Sequence, residues 1–282
     1  MDADDLRKAF DSKAQAWDDY TRTPMGRLRE ELTLRYLSRH LPDPARAPLV
    51  LDAGGGTGGL AIALARRGFR VHLLDAAPAM LDIARSRARP GDPIEYHAAP
   101  VEAVDRLFSP ASFDVVVCHT LVEYVHDPAV TIRQLCHVLK TGGLLSLEYV
   151  NRHADALRMA LTKAQFSEAR RAFDGATSQA DLFGVPRRAF SQDEAHTMLS
   201  AAGIEPIAEY GVRIFADYLA DGQWQTDETA YADLVALEEA ASARDPYRSI
   251  ARYGLVVGRN RRKWTPPVSA PASGSGRREL WL

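Results

Sequence analysis

Two stretches near the start of the chain repeat apolar residues at helical spacing. Residues 2–20 and 25–41 read as amphipathic helices, with Leu28, Leu32 and Tyr36 forming the apolar stripe of the second. LPDPARAP closes it, since proline cannot continue a helix. From Pro48 onward the pattern alternates between short apolar runs and helical ones. PLVLDA (48–53), FRVHLLD (69–75), IEYHA (94–98), FDVVVCH (113–119) and GLLSLEYV (143–150) are predicted strands, with helices at 57–67, 78–88, 101–107 and 128–139 between them. This rhythm predicts βαβ units on a parallel sheet, and runs such as VVV and LLSL suit strands covered on both faces.

After Val150 the rhythm breaks. Residues 151–190 contain no strand-like run and are expected to form a largely helical insertion, a lid over the carboxyl edge of the sheet. Ser191 and Glu194 make a capping box that opens a helix to about 202, which Gly203 ends. IEPIAEYGVRIF and SIARYGLVVGR, separated by a helix at 226–242, are predicted to complete a seven-stranded, mostly parallel sheet with an antiparallel last strand. The expectation is one α/β domain over 1–260, with N-terminal helices at 1–41. Residues 261–282, rich in Pro, Ser, Gly and Arg, read as a disordered tail.

Composition narrows the class without naming a function. In 282 residues, 46% are hydrophobic and 26% charged, as in soluble globular proteins, and no apolar run reaches the about 18 residues of a membrane span. The polar, acidic N-terminus is unlike a secretory signal. Cys118 and Cys136 sit in no redox or metal spacing, which makes a reduced, cytoplasmic setting the expectation. No His-x-x-x-His or Cys-x-x-Cys pair occurs, so no metal site is expected. A net charge of −2 gives no global pull on nucleic acid. The insertion, with seven cations against four acids, and the Arg-rich tail tilt locally towards phosphate. Oligomeric state is not legible.

The chemistry concentrates in LVLDAGGGTGGL (49–60), which packs five glycines into the six positions 54–59. Gly54-x-Gly56-x-x-Gly59 fits a dinucleotide fingerprint, and Asp52-x-Gly54-x-Gly56-x-Gly58 fits the S-adenosylmethionine (SAM) loop of methyltransferases. SAM has no phosphate but carries a sulfonium, an amino group and a carboxylate, so the acid at Asp52 is useful beside it. Asp75, ending the second strand, stands where a carboxylate accepts the hydroxyls of a ribose. Both cofactors contain that ribose, so Asp75 does not separate them.

Residues 100–148 do. SFDVVVCHTLVEYVHDP and then LCHVLKTGGLLSLEYVN resemble the later motifs of class I methyltransferases, which have a Rossmann-like fold. More specifically, the chain resembles the tRNA 5-carboxymethoxyuridine methyltransferase family over roughly residues 25–260. The resemblance rests on GRLRE (26–30), VLDAGGG (50–56), CHTLVEYVHDP (118–128), GGLLSLEYVN (142–151), GVRIFADYL (211–219) and DPYRSIARY (245–253). It implies SAM as cofactor and the carboxylate of a modified wobble uridine in tRNA as methyl acceptor. It also implies Arg29 at the SAM carboxylate, Gly54 and Gly55 along methionine and ribose, and Asp75 at the ribose. Pro100, Val101 and Glu102 would meet the adenine, and His119 would lie beside the cofactor. Asp52, Gly56, Gly58 and Met80 complete the candidate cofactor set. The family tends to have Trp where this chain has Tyr124, and Gly and His where it has Ala251 and Leu255, and residues 160–190 match poorly; these departures are expected on the acceptor side.

Candidate acceptor contacts are Tyr124, Tyr149, Asn151, Arg152 and Arg213, because an arginine pairs well with an acidic acceptor. Glu123 and His119 are candidate positioning groups. A carboxylate acceptor is ionised at neutral pH and needs no general base; for a hydroxyl, His119, His126 or Glu123 would be the first candidates. The alternatives are an O-methyltransferase of small molecules such as secondary metabolites, and a non-catalytic SAM-binding module.

Overall fold

The computed structural model describes residues 3–262 except 174–177, 181 and 221. Seven strands form one sheet in the order β3-β2-β1-β4-β5-β9-β8. They are β1 (Leu49–Ala53), β2 (Arg70–Asp75), β3 (Ile94–Ala98), β4 (Phe113–His119), β5 (Leu139–Val150), β8 (Ile204–Val212) and β9 (Tyr253–Asn260). Strands β1 to β5 pair in parallel, while β9 runs antiparallel to both β5 and β8. The order reverses between β1 and β4, the switch point at which open α/β sheets bind their ligands.

Both faces are covered. Helix α4 (Gly59–Ala65) and α5 (Pro78–Arg87) seal one face through Leu64 and Leu81, joined by Leu37 of α3 (Pro24–Ser38). On the other, α6 (Val104–Leu107), α7 (Pro128–Val138) and α10 (Gln192–Ala201) bury Val104, Ile132, Leu135 and Leu199. The predicted stripe of Leu28, Leu32 and Tyr36 is fully buried against β8, β9 and α11 (Glu228–Ala241). Local chemistry sets the helix starts: Thr23 accepts from Gly26 N–H with Pro24 behind it, Asp127 accepts from Val130 N–H, and Ser191 and Glu194 form the full capping box.

Strand β8 stops at Val212 and β9 starts only at Tyr253, each shorter than expected, and three further differences have local causes. The first helix is broken at Lys13 into α1 (Ala3–Ser12) and α2 (Ala14–Arg22), which lets Phe10, Ala14 and Trp17 all turn onto α5. Strand β5 begins at Leu139, because Asn260 of β9 donates to the Leu139 and Lys140 carbonyls and draws the LKTGG segment into the sheet through a register shift. The insertion holds α8 (Arg152–Lys163), α9 (Phe166–Phe173) and a ribbon of β6 (Ser178–Ala180) and β7 (Val185–Arg187). That ribbon corrects the strandless reading. Three-residue strands carry no periodicity, and Pro186 inside β7 argues against a strand on sequence grounds. The tail expectation for 263–282 lies outside the described residues. Among the described residues, no helix is long and apolar enough to cross a membrane.

Candidate functional site

A cavity of about 1110 Å³ opens over the carboxyl ends of β1, β2, β4 and β5 and is roofed by α1 and α2. Its floor is the glycine loop. Gly54 donates to the Leu74 carbonyl (2.7 Å), and Gly56 donates to Asp75 Oδ2 (2.9 Å). Gly56 has φ of +54°, a conformation side chains rarely adopt, and a Cβ on Gly55 would lie 2.8 Å from Asp52 Oδ2. Bare backbone is needed at both positions. Asp75 Oδ1 also accepts from Ala77 N–H (2.9 Å), so one carboxylate ties the loop to the start of α5. Phe10, Trp17 and Phe183 close over the top, with Phe183 centroids 4.3 and 5.6 Å from the other two.

One wall is ionic. Arg29 donates to Glu148 Oε1 through Nε (2.8 Å) and Nη2 (2.6 Å), and to Thr120 Oγ1 (3.0 Å). Thr33 donates to Glu148 Oε2 (2.6 Å), completing the partners of a carboxylate with no exposed surface. Burial pulls the Glu148 pKa up, but Arg29, His119 and Thr33 together outweigh it through charge and hydrogen bonds and hold the carboxyl below its ordinary value. Burial likewise disfavours the Arg29 cation, and Glu148, Tyr253 and Tyr20 together more than reverse that. The Arg29 guanidinium also sits 4.6 Å from the Tyr253 ring centroid. Thr120 has φ of +48°, unusual for a β-branched residue, and is held there by its N–H on the Glu148 carbonyl (2.8 Å).

Among the described residues, two cavity carboxyls, Asp52 and Glu123, have a buried oxygen without a hydrogen-bond partner. Asp52 is 3% exposed, its Oδ2 has no hydrogen bond, and burial together with the Asp75 charge raises its pKa to about 7. Glu123 is equally enclosed. Its Oε1 accepts from Val150 N–H (2.6 Å), its Oε2 accepts nothing, and burial raises it to about 7. His119 is different: burial lowers it to about 4, and its Nε2 pairs with Ser146 Oγ (2.7 Å). A neutral, already bonded imidazole is a poor base at neutral pH.

The cavity brings together Arg29, Asp52, Gly54, Gly55, Gly56, Asp75, Met80, Val101, Glu102, His119, Glu123 and Tyr124. Five expected site residues lie elsewhere. Gly58 caps α4, with its missing Cβ aimed at Ala84 and Leu73. Tyr149 points to the opposite face from Glu148 and Val150, as strand alternation requires, and packs against Gly254. Asn151 caps α8 by accepting from His153 N–H and donates to the Ser249 and Ala251 carbonyls (2.9 Å each). Arg152 is paired with Glu194 (2.7 Å). Arg213 is 4% exposed and locked by Asp217 (2.8 and 2.7 Å) and the Tyr20 hydroxyl (2.6 Å). Among the wall residues that escaped the sequence reading are Trp17, Glu148, Arg188 and Tyr253. Of these, Glu148 carried a signal, being an acid inside an otherwise apolar strand. Folding also assembles His72, Glu95 and His97, which no metal-ligand spacing betrays.

Comparison with known proteins agrees with this geometry. Residues 51–147 match the family described as methyltransferase domain. The chain is 32% identical over 248 residues to the tRNA 5-carboxymethoxyuridine methyltransferase of Escherichia coli (strain K12), an alignment covering 84% of this chain and 90% of that one. The chain belongs to the class I SAM-dependent methyltransferases. A ubiquinone biosynthesis O-methyltransferase of Xylella fastidiosa (strain 9a5c) is 35% identical to this methyltransferase over 136 residues, 47% of this chain and 53% of that one. The fold is shared with a SAM-dependent methyltransferase, possible histamine N-methyltransferase, from Thermotoga maritima (TM-score 0.60, 16% identity, 90% of this chain and 99% of that one). It is shared too with the 1,6-didemethyltoxoflavin-N1-methyltransferase of Burkholderia thailandensis, solved with S-adenosylhomocysteine (TM-score 0.54, 18% identity, 90% and 87%).

The residues of this methyltransferase fit its cofactor. Asp52 Oδ2 is a buried, unpartnered acceptor beside bare backbone, and the Asp75 carboxylate stands at the neighbouring strand end. Arg29 Nη1 has no protein hydrogen bond among the described residues and lines the same cavity. The volume exceeds the about 300–1,000 Å³ typical of one ligand pocket, leaving room for an acceptor beside the cofactor.

Proposed function

We propose that this methyltransferase esterifies a carboxylate, and that the acceptor is a 5-carboxymethoxyuridine-type wobble base of tRNA. The observation that carries the reading is Arg188. It lines the cavity next to Tyr124 and Glu123, and among the described residues its guanidinium bonds only the Val125 (3.3 Å) and His126 (3.1 Å) carbonyls and no carboxylate. A cation with no counter-charge among the described residues at this end of the cavity suits an anionic acceptor. The 32% identity to the tRNA-modifying relative, spread over nine-tenths of its length, supports the same choice.

Bound SAM supplies a methyl group already activated by its sulfonium. The protein's task is then alignment and exclusion of water, which can lower a barrier by several kcal/mol. Arg29, Asp52, the Gly54–Gly56 backbone and Asp75 hold the cofactor. Phe10, Trp17 and Phe183 keep solvent out, and Arg188 orients the acceptor carboxylate. No proton has to be removed. The test is incubation with labelled SAM and total tRNA lacking this methylation, followed by nucleoside mass analysis. Label in a 5-carboxymethoxyuridine methyl ester is expected, and none in tRNA overturns the proposal.

One observation favours a second reading, O-methylation of a small-molecule hydroxyl. Glu123 keeps a free Oε2 in the cavity and titrates near neutrality, as a general base should.

A further inference from the structure

At the β3 edge of the sheet, away from the cofactor cavity, three side chains converge. The parallel register sets His72 of β2 opposite Glu95 of β3 and Leu74 opposite His97, and residues two apart on a strand share a face. His72 Nδ1 lies 2.9 Å from His97 Nε2. Glu95 reaches both rings, with Oε2 3.7 Å from His72 Nδ1 and Oε1 3.5 Å from His97 Nε2.

The ring planes are 9° apart with centroids 5.1 Å apart. Such rings meet head to head in nearly one plane, so one nitrogen donates its proton to the other. Phe108 packs edge-on against both rings (5.5 and 4.9 Å) and Phe113 against His72 (5.4 Å). Packing therefore fixes the pair where two solvated imidazoles would drift apart.

Taking one ligand atom from each residue, the three donors lie within 4.8 Å of one another, the nitrogens 2.9 Å apart and each facing its nearer Glu95 oxygen at 3.7 Å (His72) or 3.5 Å (His97). Ligands of a tetrahedral ion with bonds of about 2.0–2.1 Å stand about 3.3–3.4 Å apart. Opening the nitrogens by about 0.4 Å and turning each ring would meet that geometry. We infer that His72, Glu95 and His97 bind a divalent transition-metal ion of the zinc class. Two imidazoles and one carboxylate favour Zn²⁺ or Co²⁺ over Mg²⁺ and Ca²⁺, which take oxygen ligands. On binding, the shared proton moves to the donor ring's other nitrogen, so both lone pairs face the ion and the donor ring stays neutral. Glu95, with 65% of its side chain exposed, leaves the fourth position open to water. The ion would clamp the edge strand β3 to β2, and binding the folded state alone stabilises it.

The full chain, stripped with chelator, is titrated with Co²⁺ alone and read by visible absorption, then challenged with Zn²⁺ or Mg²⁺. Expected are one Co²⁺ per chain with the strong bands of four-coordination, displacement by Zn²⁺ and none by Mg²⁺. Glu95→Gln and His97→Gln should each weaken binding at least about 10-fold. Zn²⁺ should raise the Tm of the wild type and not of Glu95→Gln. Because Glu95 is exposed, its variant keeps the fold, which calorimetric SAM binding verifies. Failure of the wild type to bind Co²⁺, or wild-type affinity in Glu95→Gln, overturns the inference.

Discussion

Arg29 and Glu148 are separated by 119 residues of sequence and meet through two hydrogen bonds in the wall of the cofactor cavity. The pair joins α3 to the end of β5, and Thr33 and Thr120 satisfy the rest of its bonding. Removing one partner strands a buried charge, which costs more than the pair itself contributes. Glu148→Gln is expected to lower unfolding stability by about 3–5 kcal/mol in urea denaturation. A loss under about 1 kcal/mol would mean the pair behaves as a surface ion pair.

Asp75 holds the glycine loop through Gly56 and the start of α5 through Ala77, and it faces the cavity. Asp75→Ala should weaken SAM binding by roughly 10- to 150-fold in calorimetry, the equivalent of about 1.5–3 kcal/mol for hydrogen bonds to a charged group. Unchanged affinity would remove Asp75 from the cofactor site.

Asp52 and Glu123 make stability depend on pH in a definite direction. Their pKa values rise from 3.8 and 4.5 in the unfolded chain to about 7 in the fold. The folded state therefore retains protons that the unfolded state loses. Their contribution is complete below about pH 4 and is lost as the pH rises through about 7. Asp52→Asn, which cannot ionise, should gain stability on the wild type by up to a few kcal/mol between pH 4 and pH 8. A gap independent of pH contradicts the assignment.

Glu123→Gln separates the two acceptor chemistries. The amide keeps an oxygen for Val150 N–H but cannot take a proton. With a carboxylate acceptor, kcat should stay within a few-fold of the wild type; with a hydroxyl acceptor it should fall about 10²–10⁴-fold. Single-turnover assays on each acceptor class read this directly.

Arg213 is a structural residue, bound to Asp217 and Tyr20 behind the cavity wall. Arg213→Ala should cost about 3–5 kcal/mol of stability. An acceptor contact would show the reverse, a raised acceptor KM with unaltered denaturation midpoint.

Much of the fold was legible because strands buried on both faces read as apolar runs and the capping box of α10 reads as Ser-x-x-Glu. The cofactor end was legible for a related reason: the glycine loop and Asp75 lie at strand tips, where chain position determines space. The rest of the cavity wall was not. It is built from side chains of α2, β5, β9 and the stretch after β7, whose meeting depends on how the insertion and N-terminal helices pack. Tyr149 shows how near the error lay, since Glu148 and Val150, one residue to either side, face the cavity. Arg213 misled because a left-handed φ of +60° turns the chain just after β8.

Strand β9 lies between β5 and β8, although forty residues, including α11, separate it from β8 in sequence. During synthesis β5 and β8 must therefore wait, each with an edge unsatisfied, until some of the last described residues emerge from the ribosome. In that interval those open edges can recruit strands from other nascent chains. Slow translation of residues 213–252 would prolong the exposure, and a chaperone that shields extended backbone would shorten it.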